Sequence, residues 1–220
     1  MKRRDFSALL AATPLAAATG TALAQGGPVE GRHYIALDRP LATPPGKIEV
    51  VEFFWYGCPH CYAFEPLIEA WSKQLPADVA FRKVHVAFRA NVKIHQRMFY
   101  TLESMGKEAA TRPAIFKAMH EQGQALEDAK SQAKFLSALG VDPVKYQDAY
   151  NSFGVQTKAT QAEKLSEAYH IDGVPSIGIG GRFLTSPSMT GVGQRLPEHE
   201  LGQRALQYTD FLIQRVRRKA

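Results

Sequence analysis

The two cysteines of the chain, Cys58 and Cys61, stand at the point where one hydrophobic period gives way to another. Before them, Ile48 to Trp55 is an apolar run interrupted only by Glu49 and Glu52, the pattern of a central strand covered on both faces. After them, from Pro59, the residues Phe64, Leu67, Ile68, Trp71 and Leu75 recur at helical spacing, with Pro66 expected to kink the helix. Val79 to Phe88 returns to alternation through Phe81, Val84, Val86 and Phe88. The product is a strand-helix-strand unit whose strand-to-helix turn carries both thiols. A helix N-terminus offers unpaired N–H groups and the positive end of the dipole, so the turn is a place where a thiolate is stabilised.

The flanking chain completes a sheet. His33 to Leu37 reads as a short edge strand, Pro44-Pro45-Gly46 as a turn, and Ser176 to Ile179 as a strand joined by a two-residue Gly180-Gly181 turn to Arg182–Leu184. Residues 91 to 170 carry helical signals and almost no strand signal. These lie around Met98 to Met105, Ile115 to Met119, Phe135 to Leu139 before Gly140, the Asp142-Pro143 cap through Tyr150, and Thr157 to Tyr169. Pro197 to Arg217 is a long C-terminal helix. The expected class is α/β: a thioredoxin-like fold, residues 25–90 and 171–220, with an all-helical domain inserted at residues 91–170. At 220 residues and 45% hydrophobic, the chain can bury such a core without help from a staple.

The first residues predict export. Met1-Lys2-Arg3-Arg4 is a basic start, Ala8 to Ala18 an apolar stretch, and Ala22-Leu23-Ala24 a small-x-small cleavage site, so residues 1–24 read as a signal peptide cut after Ala24. The apolar stretch is too short and Ala-rich to span a bilayer of about 30 Å. Arg3-Arg4-Asp5-Phe6 also resembles a twin-arginine signal, which leaves the export route open. The leader carries +2 of the formal charge of +6, so the mature chain would carry only +4, some of it in Arg215, Arg217, Arg218 and Lys219 near a helix C-terminus. No basic motif with interleaved aromatics supports nucleic-acid binding.

Within Gly57-Cys58-Pro59-His60-Cys61, Cys58 is the expected low-pKa nucleophile and Cys61, one turn into the helix, the resolving thiol. His60 can add positive charge or a hydrogen bond to the Cys58 thiolate, stabilising the reduced form and making the disulfide more oxidising. Three other uses compete. A structural staple closing so short a loop yields only about 2 kcal/mol. Half of a zinc site needs two more ligands, and His33, His85, His95, His120, His170 and His199 form no metal-like cluster. Two unrelated buried thiols would not need this position. A lone C-x-x-C at a strand-to-helix turn of an exported protein points to redox chemistry.

Glu52-Phe53-Phe54, Cys58-Pro59-His60-Cys61-Tyr62 and Phe64-Glu65 resemble the DsbA family of periplasmic disulfide-forming proteins, and the resemblance runs from about His33 to the C-terminal helix. DsbA proteins are themselves the reference case of a very acidic cysteine and a strongly oxidising disulfide, so these properties come with the resemblance. It further implies that Pro175, in Gly173-Val174-Pro175-Ser176, is a cis-proline facing the disulfide, and that the Val174 backbone pairs with an extended substrate peptide. The alternative is a trans proline opening the next strand. It also implies that Glu52 and Lys83 sit on adjacent strands beneath the cysteines and adjust the charge there. The alternative places Glu52 at an exposed edge and leaves Lys83 solvated. Trp55-Tyr56-Gly57 precedes Cys58 where family members vary, so partner choice does not carry over.

The resemblance implies a periplasmic protein disulfide oxidase without a bound cofactor or metal, acting on exported proteins with free thiols. Reoxidation would come from a DsbB-like, quinone-linked inner-membrane protein; a monomer is expected. A reductase or isomerase of the same fold is the first alternative, but only about ten residues separate Gln25 from the first strand, too few for the dimerisation domain such isomerases carry. A peptide-binding chaperone or metal-binding module with incidental cysteines is the second.

Overall fold

The computed structural model describes residues 27–218; the predicted signal peptide, its cleavage site and Lys219 lie outside the described residues. A five-stranded mixed sheet in the order β1-β5-β4-β2-β3 is built from β1 (Ile35–Ala36), β2 (Ile48–Phe54), β3 (Val79–His85), β4 (Ser176–Ile179) and β5 (Phe183–Thr185). Strands β2 and β3 run parallel, the other pairs antiparallel. The crossover from β2 to β3 is α1 (Pro59–Ser72), which runs through Pro66. Between β3 and β4 come only helices: α2 (Ala90–Ser104), α3 (Glu108–His120), α4 (Ala129–Ser137), α5 (Pro143–Tyr150) and α6 (Phe153–Ala168). A short α7 (Pro187–Thr190) and the long α8 (Glu198–Arg217) close the chain.

Hydrophobic layers on both sides bury the sheet. Val50 of β2 packs with Phe64 and Ile68 of α1 and Leu206, Leu212 and Ile213 of α8. Val51 and Phe53 belong to a second cluster with Phe99, Leu102, Phe116 and Tyr169 from the helical segment. Burying a side chain of this size stabilises by about 1.5–3 kcal/mol, and β2, wedged between the clusters, is held on both faces.

Several boundaries differ from the sequence expectation for local reasons. Strand β2 ends at Phe54, because the Trp55 carbonyl accepts the Cys58 N–H (3.0 Å) to form the turn into α1. Strand β3 therefore loses its partner after His85, the last bond being Val86 N–H to Phe54 O (2.9 Å), and Phe88 is left 47% exposed in a loop. Leu75 lies beyond the end of α1. The β4–β5 connection has three residues, not two: Ile179 pairs with Phe183, and Arg182 N–H bonds Ile179 O (3.0 Å) around Gly180 and Gly181. Both glycines have positive φ (58° and 62°), and a Cβ on Gly181 would meet the Leu41 carbonyl oxygen at 2.4 Å. The edge strand shrinks to Ile35–Ala36, the only residues of the expected stretch in register with β5.

Caps explain why the helical segment divides as it does. Asp142 accepts from Val144 N–H (2.8 Å) and Lys145 N–H (3.0 Å) ahead of Pro143 at the start of α5. Asp128 and Ser131 form a capping box on α4, and Ser152 caps α6 four residues earlier than the apolar pattern suggests. Among the described residues no helix is long and apolar enough to cross a membrane, and no group of three or more His, Cys, Asp or Glu side chains is placed to hold a metal.

Candidate active site

Cys58 is the N-cap of α1, with Pro59 in the first turn. Its sulfur accepts the Cys61 backbone N–H at 3.4 Å, so one of the orphan donors of the helix start is turned onto a thiol instead of a carboxylate or hydroxyl. Both cysteines are in the dithiol form. The Cys61 side chain, then the backbone N–H groups of Cys61 and His60, and last the His60 charge favour the Cys58 thiolate; together they overcome burial and lower its pKa from 9.0 to about 6. Cys61 behaves oppositely. Burial, then the hydrogen bond to Cys58 and the charges of Cys58 and Glu52, push its pKa well above the ordinary thiol value.

On the other side of the Cys58 sulfur stands the segment before β4. The Val174–Pro175 peptide is cis, and the Cys58 thiol donates to the Val174 carbonyl at 3.4 Å. A groove of about 510 Å³ opens beside this contact, lined by His60, Phe64, Val174, Pro175, Met189 and Leu201 among others. His60 stands on the rim with its side chain 71% exposed, and its Nδ1 lies 2.5 Å from the Glu198 carboxylate of α8. That contact raises the His60 pKa above 6.5.

Under the cysteines lies a buried charge cluster. Glu52 and Lys83 are in register on β2 and β3 and bond at 2.5 Å. Lys83 also donates to Glu65 (2.8 Å), Arg112 bonds Glu65 (2.9 Å), Glu69 and Glu108, and the Tyr56 hydroxyl donates to Glu108 (2.9 Å). Burial raises Glu52 from 4.5 to about 7, more than the Lys83 charge lowers it, and its Oε1 has no hydrogen-bond partner. Burial works against the Lys83 charge as well, but Glu52 and Glu65 outweigh it and hold the ammonium above its ordinary value. Nearby, His85 is fully buried, with Nε2 accepting the Tyr56 N–H (3.3 Å) and Nδ1–H donating to Val86 O (2.9 Å); burial depresses its pKa to about 3.

The structure thus brings Cys58, His60, Val174 and Pro175 to one rim, buries Cys61 one helical turn further in and sets Glu52 with Lys83 below. Sequence reasoning gave no role to Glu65, Glu69, Glu108, Arg112, His85 or Glu198. The i, i+4 spacing of Cys61 and Glu65 was a usable signal, since it puts both on one helix face. Nothing local marks Arg112 or Glu198, which reach the site from separate helices. The reason for Gly57 is also visible only in three dimensions: a Cβ there would lie 2.4 Å from the Trp55 ring, whose N–H is held by His95 Nδ1 at 3.0 Å.

Comparison with known proteins points one way. Residues 49–196 match the model of the DSBA-like thioredoxin domain. The chain is 41% identical over 219 residues to the thiol:disulfide interchange protein DsbA of Burkholderia cepacia, covering 99% of each. It is 41% identical over 191 residues to the DsbA of Pseudomonas aeruginosa, covering 86% of each. The crystal structure of Pseudomonas aeruginosa DsbA superposes with a TM-score of 0.80 at 40% identity, covering 87% of this chain and 95% of that one. The DsbA of Xylella fastidiosa gives a TM-score of 0.75 at 29% identity, covering 86% of this chain and 98% of that one.

Proposed function

Because the chain belongs to the DsbA family, whose thioredoxin-like fold it has, we propose that it donates its Cys58–Cys61 disulfide to exported proteins in the periplasm. It is an oxidoreductase of the thiol:disulfide interchange class. The observation that carries the direction of transfer is the placement of the two sulfurs: Cys58 caps α1 and accepts the Cys61 N–H, which favours its thiolate and lowers its pKa to about 6, whereas Cys61 is fully buried and its pKa is raised.

A substrate thiolate attacks the Cys58 sulfur of the oxidised protein, forming a mixed disulfide while the Cys58–Cys61 bond breaks. Cys61 leaves as a thiolate of high basicity and takes up a proton. Glu52, with its pKa near 7, its free Oε1 and a charge that bears on Cys61, is suited to supply it. A second substrate thiolate then attacks the substrate sulfur of the mixed disulfide and expels the Cys58 thiolate, a good leaving group because it is weakly basic. Two electrons pass to the protein and the substrate leaves as a disulfide. His60 stabilises the expelled thiolate, and the Val174 backbone and Pro175 receive the substrate as an added strand beside Cys58. No cofactor or metal takes part.

Residues 25–90 and 171–220 form the catalytic domain in this reading and residues 91–170 the inserted helical one. Residues 1–24 direct the chain to the periplasm. It acts as a monomer, and a DsbB-like, quinone-linked membrane protein restores the disulfide. The test mixes oxidised protein with an equal amount of a reduced two-cysteine peptide. A donor hands over its disulfide nearly completely, and Cys58→Ser transfers none. Peptide that stays reduced identifies a reductase instead, and peptide bound with unchanged thiols by both proteins identifies a chaperone.

A further inference from the structure

We propose that Glu198 is a positioning residue of the redox centre: its carboxylate fixes the His60 imidazole and keeps it cationic beside the Cys58 sulfur. The inference rests on the exchange chemistry proposed above and adds a residue that acts on it through His60. Its starting point is an electrostatic mismatch. His60 lies in the first turn of α1, where the helix dipole presents its positive end and a cation is disfavoured. The same field that stabilises the Cys58 thiolate therefore works against the imidazolium meant to assist it.

Glu198 removes that mismatch. It is the first residue of α8, directly after Pro197, where the dipole of its own helix favours a carboxylate. Its Oε1 lies 2.5 Å from His60 Nδ1, a distance suited to a charge-assisted bond. The reach depends on how closely α8 approaches α1. Gly202 follows Glu198 at i+4 and so shares its helix face. A Cβ at Gly202 would meet Leu67 Cδ1 at 2.7 Å and Phe64 Cδ2 at 3.0 Å, so the missing side chain lets the two helices come together. The groove therefore has one wall on α1 and one on α8, joined at the rim by this ion pair.

The groups facing His60 can be named from each side. Cys58 precedes it on its own turn, Glu198 faces it from α8, and Asp172 and His170 lie on the groove wall before β4. Of these, Glu198 is the one bonded to the ring. With Glu198 in place His60 holds its proton above the ordinary midpoint of 6.5. Without it, the ring loses its charge as pH rises through that value, and the Cys58 thiolate loses a cationic neighbour. The reduced form is then less favoured, and the disulfide becomes less oxidising in the window between 6.5 and the raised His60 midpoint, above which the ring is neutral either way. On the acid side the ring is charged either way.

The experiment is a pair of pH series on the full protein and its Glu198→Gln variant. In the oxidised protein, where no thiolate is present, the His60 ring titration is followed by NMR. Its midpoint stands above 6.5 in the parent and falls toward 6.5 in Glu198→Gln, while Asp172→Asn leaves it in place. In glutathione buffers, the variant is less oxidising than the parent by about two- to fivefold between pH 6.5 and the parent's raised His60 midpoint, the size of an exposed ion pair. The difference closes on either side of that window, and a His60→Gln background abolishes it. Equal His60 midpoints in parent and Glu198→Gln, an equal effect of Asp172→Asn, or a shift that persists without His60 overturns the proposal. Failure of the parent to exchange with glutathione at all would instead remove the functional reading, and the NMR titration would still stand on its own.

Discussion

The rim around Cys58 and the floor beneath Cys61 are one helical turn apart and are built on opposite principles. The rim is made of backbone donors, the Val174 carbonyl and an exposed histidine held by an exposed glutamate. The floor is made of interlocked buried charges, Glu52, Lys83, Glu65, Arg112 and Glu108, ordered by Tyr56 and the β2–β3 register. The rim lowers the pKa of one sulfur and the floor sits under the sulfur whose pKa is raised. A disulfide between two such sulfurs is polarised: in the proposed exchange, attack at Cys58 is followed by proton uptake at Cys61, and the finished product leaves from Cys58. Changes in the rim should therefore alter chemistry with the fold intact, whereas changes in the floor should alter stability first.

The largest expected effect breaks the floor. Lys83→Met removes the cation between Glu52 and Glu65 and leaves two buried carboxylates facing each other, a loss of about 3–5 kcal/mol measurable by denaturant unfolding. Glu52→Gln combined with Lys83→Met should recover part of that loss, because fewer uncompensated charges stay buried. A Lys83→Met protein as stable as its parent would show that the floor does not bear on stability.

Acid should act on a buried group beside that floor, His85. Its folded pKa, about 3, lies below the ordinary 6.5, so the unfolded chain binds more protons between those values. Stability from keeping His85 neutral is complete above 6.5 and is lost as pH falls toward 3, with a slope of at most about 1.4 kcal/mol per pH unit. Glu52 runs the other way: its folded pKa, about 7, exceeds 4.5, so the folded state takes up the proton and gains as pH falls between them. The informative quantity is therefore the difference between parent and His85→Gln unfolding profiles. That difference should shrink steadily as pH falls from 6.5, and a difference independent of pH would contradict the assignment.

The smallest effect on stability belongs to the rim. His60→Ala removes an exposed side chain and its ion pair with Glu198 and should change unfolding by at most about 1 kcal/mol, yet it should raise the Cys58 pKa and make the disulfide less oxidising. A change in stability as large as that of Lys83→Met would erase the distinction between rim and floor.

How much of this was legible in the sequence follows the same division. The cysteine turn could be read because an apolar run, a proline and a helical period meet there within a few residues. Glu52 and Lys83 were paired through the family resemblance, and the β2–β3 register that sets them opposite each other is visible only in the structure. The Gly180-Gly181 turn was visible, but not its third residue, since loop length depends on which residues of β4 and β5 face each other. The end of β3 was hidden for a similar reason: it is decided by where β2 turns toward Cys58, and the alternation through Phe88 continues past that point. Arg112 and Glu198 escaped because they approach from helices far along the chain, and the short α7 escaped because the Ser186 cap and Pro187 open only a single turn with no apolar period behind them. Local pattern located the sulfurs; tertiary contact supplied the groups that tune them.

The most direct measurement is the titration of the reduced protein followed by thiolate ultraviolet absorbance, with Cys58→Ser as the reference. A single inflection near pH 6 that disappears in Cys58→Ser is the expected result. An inflection near the ordinary thiol value of 9.0 would contradict the acidified leaving group on which the donation of the disulfide depends.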